Sequence, residues 1–223
     1  MGHRLKRLCL VLAALLLAGC GSSHSNSSVS VRVFQASPDA PPVNILVDGS
    51  VIATLSYLNS SGYISVESGS RHIQAKPVSG GSAIFDQSVP LQGTSSQTLF
   101  FTGPAASITT VLLTDGGTTA SSGNGYVRVL NASTTMGAAD AYIVPAGMSI
   151  AGVQSATVGL AFDKDTGYQL IAGGSYEVFL TAPGTKNAFL STGPITINAG
   201  QNQTVVTLNG LGGGFTFVQL TDQ

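Results

Sequence analysis

The chain repeats itself, and this constrains its fold more than any other feature. Val31-Arg32-Val33 recurs as Val127-Arg128-Val129, and Ala36-Ser37 recurs at the same offset as Ala132-Ser133. Gly62-Tyr63 matches Gly167-Tyr168, Gly69-Ser70 matches Gly174-Ser175, and Thr98-Leu99-Phe100 matches Thr204-Val205-Val206. Each copy closes on Leu-Thr-Asp, at Leu113-Thr114-Asp115 and Leu220-Thr221-Asp222. Self-similarity of this kind marks copies of one folding unit. The offset grows along the chain, so the second copy holds a few extra loop residues. Between the copies, Gly116 to Gly125 (GGTTASSGNG) is polar and glycine-rich, as boundaries between domains are. The expected organisation is a domain over 31–115, a linker over 116–125 and a second domain over 126–223. Each is near the ~100 residues of an immunoglobulin-like sandwich.

Within each copy the residue pattern reads as short strands. Val43 to Val47, then Asp48-Gly49-Ser50, then Val51 to Leu55 predicts a hairpin, because Asp-Gly supplies the positive φ of a tight turn. Further strands are expected at Ser30 to Phe34, Gly62 to Val66, Arg71 to Val78, Ala83 to Leu91, Gln97 to Thr102 and Ile108 to Thr114. The second copy repeats them at Tyr126 to Leu130, Asp140 to Val144, Tyr168 to Ile171, Tyr176 to Leu180, Ile195 to Ile197, Thr204 to Leu208 and Phe215 to Leu220. Glycine is abundant, with 28 residues, and tryptophan is absent. Ser, Thr and Val are frequent, while the residues of exposed amphipathic helices are scarce. Many short strands with regular turn signals indicate an all-β chain of two tandem antiparallel sandwiches. Met148 to Val158 is the one ambiguous stretch.

The N-terminus reads as an export signal. Arg4, Lys6 and Arg7 precede an uncharged apolar run from Leu8 to Ala18. Such a run is too short to span a bilayer as a helix, which takes about 20 residues, but it suits a secretory signal. Leu17-Ala18-Gly19-Cys20 resembles the bacterial lipobox. That resemblance implies cleavage between Gly19 and Cys20, a diacylglyceryl thioether on Cys20 and acylation (palmitate or a similar chain) of its new amino group. Two or more acyl chains hold a protein firmly on a bilayer. Residues 1–19 are thus expected to be signal, and 20–30 a flexible serine-rich tether. Gly21-Ser22-Ser23 after the cysteine favours, by the same resemblance, the outer membrane of a two-membrane host. Cys9 lies in the signal, so Cys20 is the only cysteine of the mature chain and no intrachain disulfide is expected.

The opening of the first copy carries a family resemblance. Val31-Arg32-Val33-Phe34-Gln35-Ala36-Ser37-Pro38-Asp39-Ala40-Pro41, with Val43, Val47-Asp48-Gly49, Ser61-Gly62-Tyr63 and Gly69, resembles the bacterial domain of unknown function numbered 4397. That family commonly opens Val-Arg-Val-x-His-Ala-Ser-Pro-Asp-Ala-Pro. The resemblance implies tandem β-sandwich modules in exported, cell-surface proteins, and it implies no reaction. Gln35 stands where the family usually has histidine, and Asn44 where it has aspartate. The second copy keeps Ala132-Ser133 but replaces Pro-Asp-Ala-Pro with Thr134-Thr135-Met136-Gly137, and retains an aspartate at Asp140.

Candidates for chemistry are few. Asp163-Lys164-Asp165-Thr166 follows an apolar stretch, as the nucleophile and acid/base do in haloacid-dehalogenase-like phosphotransferases, but the chain lacks the βα alternation that chemistry uses. The same segment fails as an EF-hand loop, because Tyr168 stands where the sixth-position glycine belongs. Asp163 and Asp165 remain weak candidates for a metal. Ser37, Pro38 and Asp39 form a candidate ligand loop, with a turn as the plainer reading of Asp39 and Asp48. His72 is the only histidine outside the signal and tether, too few imidazoles for a zinc site. Tyr63 and Tyr168 are expected as core aromatics with bonded hydroxyls. Past residue 19 the chain has six cations against ten acids and no basic stripe, which argues against nucleic-acid partners.

The sequence therefore predicts a lipid-anchored envelope protein without a cofactor. Its sandwich modules are expected to serve adhesion, scaffolding or ligand binding, with envelope glycan or protein as partners. A carbohydrate- or peptide-binding accessory module, and more remotely a hydrolase or phosphatase at Asp163, are the alternatives.

Overall fold

The computed structural model describes residues 27–116 and 120–223. The signal, the Gly19–Cys20 cleavage and lipidation site, His24 and most of the tether lie outside the described residues. No helix among the described residues is long and apolar enough to cross a membrane.

The chain is all-β. The first repeat contains β1 (Ser28–Gln35), β2 (Val43–Val47), β3 (Ser50–Leu55), β4 (Ile64–Glu67), β5 (Gly69–Pro77), β6 (Phe85–Leu91), β7 (Gln97–Thr102) and β8 (Thr109–Thr114), with a short 3-10 turn at Ala105–Ser107. The second contains β9 (Asn124–Asn131), β10 (Ala139–Pro145), β11 (Thr157–Leu160), β12 (Lys164–Asp165), β13 (Gln169–Ala172), β14 (Gly174–Thr181), β15 (Ala188–Ser191), β16 (Ile195–Ile197), β17 (Asn202–Asn209) and β18 (Phe215–Asp222). The expected β2–β3 hairpin forms, and its Asp48 and Gly49 take φ of 48° and 83°. Two positive φ values at the tip match the twist of the flanking strands.

Each repeat makes two sheets. The first has the orders β4-β1-β7-β8 and β3-β2-β5-β6. The second has β9, β17 and β18 with β12 and β13 on one sheet, and β11-β10-β14-β15 with β16 on the other. Pairing is antiparallel except between β1 and β7 and between β9 and β17, which run parallel. The strand order is thus shared, down to the one parallel pair in each copy, with one extra short strand on each sheet of the second.

Three apolar clusters order these sheets into four layers. Val29, Val31, Val33, Leu99 and Phe101 of the β1–β7 sheet meet Val43, Ile45, Ile73 and Leu91 of the β2–β5 sheet. Val127, Val129 and Val205 meet Ala141, Val178, Leu180 and Ile197 in the same way. The third cluster joins Phe34, Ala36 and Phe100 of the first repeat to Leu130, Ala132, Val206, Leu208 and Leu220 of the second. Alternation along a strand explains this. The valines of Val31-Arg32-Val33-Phe34 enter their own sandwich, while Arg32 and Phe34 face the other repeat. The two central sheets are covered on both faces, so their middle strands read as nearly continuous burial rather than half-buried alternation.

Several boundaries differ from the sequence reading. β1 begins at Ser28 and Val29 is buried, so the end of the expected tether belongs to the first strand. The second repeat begins its ladder at Asn124, inside the expected linker. β11, β12 and β15 have only two to four residues, too short for a pattern to register. The ambiguous Met148 to Val158 is a loop whose last two residues open β11. It lies over the outer face of β10, where Ile150 and Val153 pack on Tyr142 and Val144.

Candidate functional site

A highly organised polar group lies between the repeats. Arg32 on β1 donates from Nε to Thr98 Oγ1 at 2.9 Å, from Nη1 to the Thr221 carbonyl at 2.8 Å and from Nη2 to Asp222 Oδ1 at 2.5 Å. Arg128 on β9 donates from Nε to Thr204 Oγ1 at 2.8 Å, from Nη1 to the Thr114 carbonyl at 2.8 Å and from Nη2 to Asp115 Oδ1. The hydroxyls of Thr98 and Thr204 donate hydrogen bonds to Asp115 and Asp222. Tyr63 donates to Asp115 at 2.8 Å, and Tyr168 to Asp222 at 2.6 Å. Each guanidinium lies over the tyrosine ring of its own repeat, at 4.7 Å for Arg32 and 4.4 Å for Arg128. Each of these contacts in one half has its counterpart in the other, so this part of the group has pseudo-two-fold symmetry.

The pairing is crossed: the arginine of each repeat binds the terminal aspartate of the other. The cross-distances of 3.7 Å from Arg32 to Asp115 and 3.8 Å from Arg128 to Asp222 close a ring of four charges with no net charge. The side chains of both aspartates are fully shielded, and those of the arginines nearly so. Burial pushes the Asp115 carboxyl above its ordinary range, aided by repulsion from Asp222 and opposed by Thr98, Arg128 and Tyr63. A buried charge of this kind holds only where its partners hydrogen-bond it fully. The two chain segments that end the repeats also touch. A Cβ on Gly116 would stand 2.7 Å from the Gln223 carbonyl oxygen, so only glycine fits there.

The phenols around this ring resist ionisation. Burial raises Tyr63 and Tyr168 well above the ordinary phenol range, with the neighbouring carboxylates adding to the shift and the arginines opposing it. Tyr57, whose hydroxyl donates to the Asn209 carbonyl across the same interface, is pushed up to about 12 by burial. A folded-state pKa above the unfolded value of 10.0 leaves stability intact below pH 10. That stability is lost as the pH climbs through the folded values, because the unfolded chain releases these protons first. Tyrosinate absorbance followed against pH is therefore expected to rise partly in a late, cooperative step coincident with unfolding. Ionisation of all six tyrosines in one shallow step with the fold intact would contradict this.

The residues singled out from sequence have other duties. Ser37 is fully buried and does not present a ligand-binding surface; its amide donates to the Gln35 side chain. Asp39 is exposed, and its carboxylate accepts the Ala105 amide at 2.8 Å, tying the loop after β1 to the 3-10 turn. Pro38 sits between them, partly buried. Asp163 and Asp165 have separate partners. Asp163 accepts from Thr109 of the first repeat at 3.0 Å, and Asp165 accepts the Gly167 amide at 2.7 Å. Burial raises the Asp163 carboxyl, and Thr102 and Thr109 pull it back. Asp163 and Leu58 are equivalent positions of the two repeats. Both have positive φ, at 60° and 69°, and their amides donate to Asn131 and Gln35, themselves equivalent. A leucine in the same conformation identifies Asp163 as a turn residue. Among the described residues, no group of three or more His, Cys, Asp or Glu is placed to hold a metal ion. His72 is exposed on β5 and pairs with Asp86 at 2.5 Å.

Sequence reasoning missed the Arg–Asp ring, although its signal was present. Arg32 and Arg128 interrupt apolar strands at matching places, and each copy ends on an aspartate. A charge repeated inside a buried strand requires a partner, and the repeated terminal aspartates were the available ones.

A search of curated proteins finds no match to the chain. The family model of the domain of unknown function (DUF4397) matches residues 29–142. That span takes in the whole first sandwich and continues through β9 into β10, so it includes Arg32, Tyr63, Thr98, Asp115 and Arg128 of the ring. The match covers just over half of the chain, and the chain belongs to the family of this domain of unknown function.

Proposed function

We propose that this chain is a lipid-anchored envelope protein whose paired sandwiches serve adhesion, scaffolding or ligand binding, not catalysis. The observation that carries the reading is how the polar side chains are used. Asp115 and Asp222 neutralise buried arginines, Asp39 ties two loops, and Asp163 and Asp165 fix a turn and the contact between repeats. A general acid or nucleophile needs a free face toward substrate; Asp115 and Asp222 turn theirs to buried arginines, while Asp39, Asp163 and Asp165 each hold a loop, turn or repeat contact through one oxygen. The lipobox-like Leu17-Ala18-Gly19-Cys20 supplies the anchor, and the residues up to Ser27 separate the lipid from β1. Partners, on this reading, are the membrane through the lipid and an envelope glycan or protein.

Cys20→Ala tests the anchor. The variant is expected to accumulate with its signal uncut and to lose incorporation of labelled palmitate. A Cys20→Ala protein that is still cut at the same bond and still partitions with the membrane would overturn the reading.

A further inference from the structure

We propose that the contact between the repeats is exchangeable between molecules, the first repeat of one chain docking on the second repeat of a neighbouring copy. The observation is the crossed ring itself. Each repeat carries a complete half-set, Arg32, Tyr63, Thr98 and Asp115 in one and Arg128, Tyr168, Thr204 and Asp222 in the other, with matching bonds throughout. A second copy of the chain offers the same charges in the same places, together with Leu130, Val206 and Leu220 to cover Phe34 and Phe100.

The ladders end at Thr114 and resume at Asn124, and the intervening residues are mostly Gly, Ser and Thr. An exchanged pair keeps every contact inside each sandwich and replaces one Arg–Asp ring with an identical one. Only the path of the linker and the freedom of the second molecule change, which is why exchange of identical elements is a low-cost route to association. Chains held on one membrane would meet at raised effective concentration, but exchange does not depend on anchoring and is tested without it.

The test uses the chain from residue 20 onward with Cys20→Ser, so that introduced thiols are the only ones. Thr109 Oγ1 lies 3.0 Å from Asp163 Oδ2 across the contact. One chain carries Thr109→Cys and a second, of different tagged mass, carries Asp163→Cys. A chain with both substitutions establishes that a short bis-maleimide, which adds one thiol at each end to give two thioethers, reaches. The two single variants are unfolded together at high concentration, refolded and crosslinked. The expected product is a covalent pair of unlike chains, about tenfold or more above the yield from the same chains mixed after folding. If the doubly substituted chain crosslinks within itself while unlike chains fail to join, the proposal is wrong.

Discussion

Asp115→Ala is expected to cost the chain about 3–5 kcal/mol of unfolding free energy, the range for removing one member of a buried ion pair. The loss has three parts. Arg128 loses its carboxylate while staying buried, Arg32 loses its second anion, and the hydroxyls of Thr98 and Tyr63 lose their acceptor. Asp222→Ala removes the equivalent set and should cost a similar amount. Urea unfolding measures both. Asp115→Asn keeps the shape and part of the hydrogen bonding, so a smaller loss is expected from it. Replacing all four charged residues with apolar side chains of similar volume should restore much of the stability, because the desolvation of the ions disappears with them. The ring therefore contributes less to net stability than to register. It fixes which sheet of each repeat faces the other and at what rotation. A loss below about 1 kcal/mol for Asp115→Ala, the scale of an exposed pair, would mean the carboxylate is solvated.

Phe100→Ala carries the second large effect, about 3–5 kcal/mol for emptying a buried phenylalanine site. Phe100 is fully shielded and lies 5.7 Å from Phe34, ring centre to ring centre, in the cluster both repeats share. The side chain belongs to the first repeat, yet the cavity it leaves is walled by Leu130, Val206 and Leu208 of the second. The variant should therefore lower the unfolding midpoints of both repeats together, read by hydrogen exchange at amides of β5 in the first and β14 in the second. Protection lost only in the first repeat would show that the shared cluster does not couple them.

The contrast between these two residues explains how much could be read in advance. The sandwich fold followed from local rules. The Asp48-Gly49 tip, the alternating valines of β1 and the Gly-Tyr marks of each copy are statements about neighbours in sequence, and the structure repeats them. Phe100 was legible as a strand residue, but not as a residue of the contact between repeats. In a strand buried on both faces the pattern gives no sign of which face meets which layer. Arg32 and Asp222 stand 190 positions apart, and no local rule pairs residues at that separation. Ser37 and Asp39 share a long motif but have different surroundings: Ser37 is buried, with its amide on the Gln35 side chain, and the Asp39 carboxylate bridges two loops. Asp163-Lys164-Asp165 reads in sequence as a remote phosphotransfer candidate and more simply as a polar turn. The equivalent of Asp163 in the first copy, Leu58, takes the same positive φ and makes the same backbone bond.

The account depends most on the crossed pairing, and a double-mutant cycle on Arg32 and Asp222 reads it directly. Arg32→Met, Asp222→Leu and the combined variant are unfolded in urea beside the parent chain. With the two residues in contact across the repeats, the coupling energy should be about 2 kcal/mol or more, so the double variant is far more stable than the sum of the single losses implies. Additive losses, with a coupling under about 0.5 kcal/mol, are what residues on separate, non-contacting repeats would give.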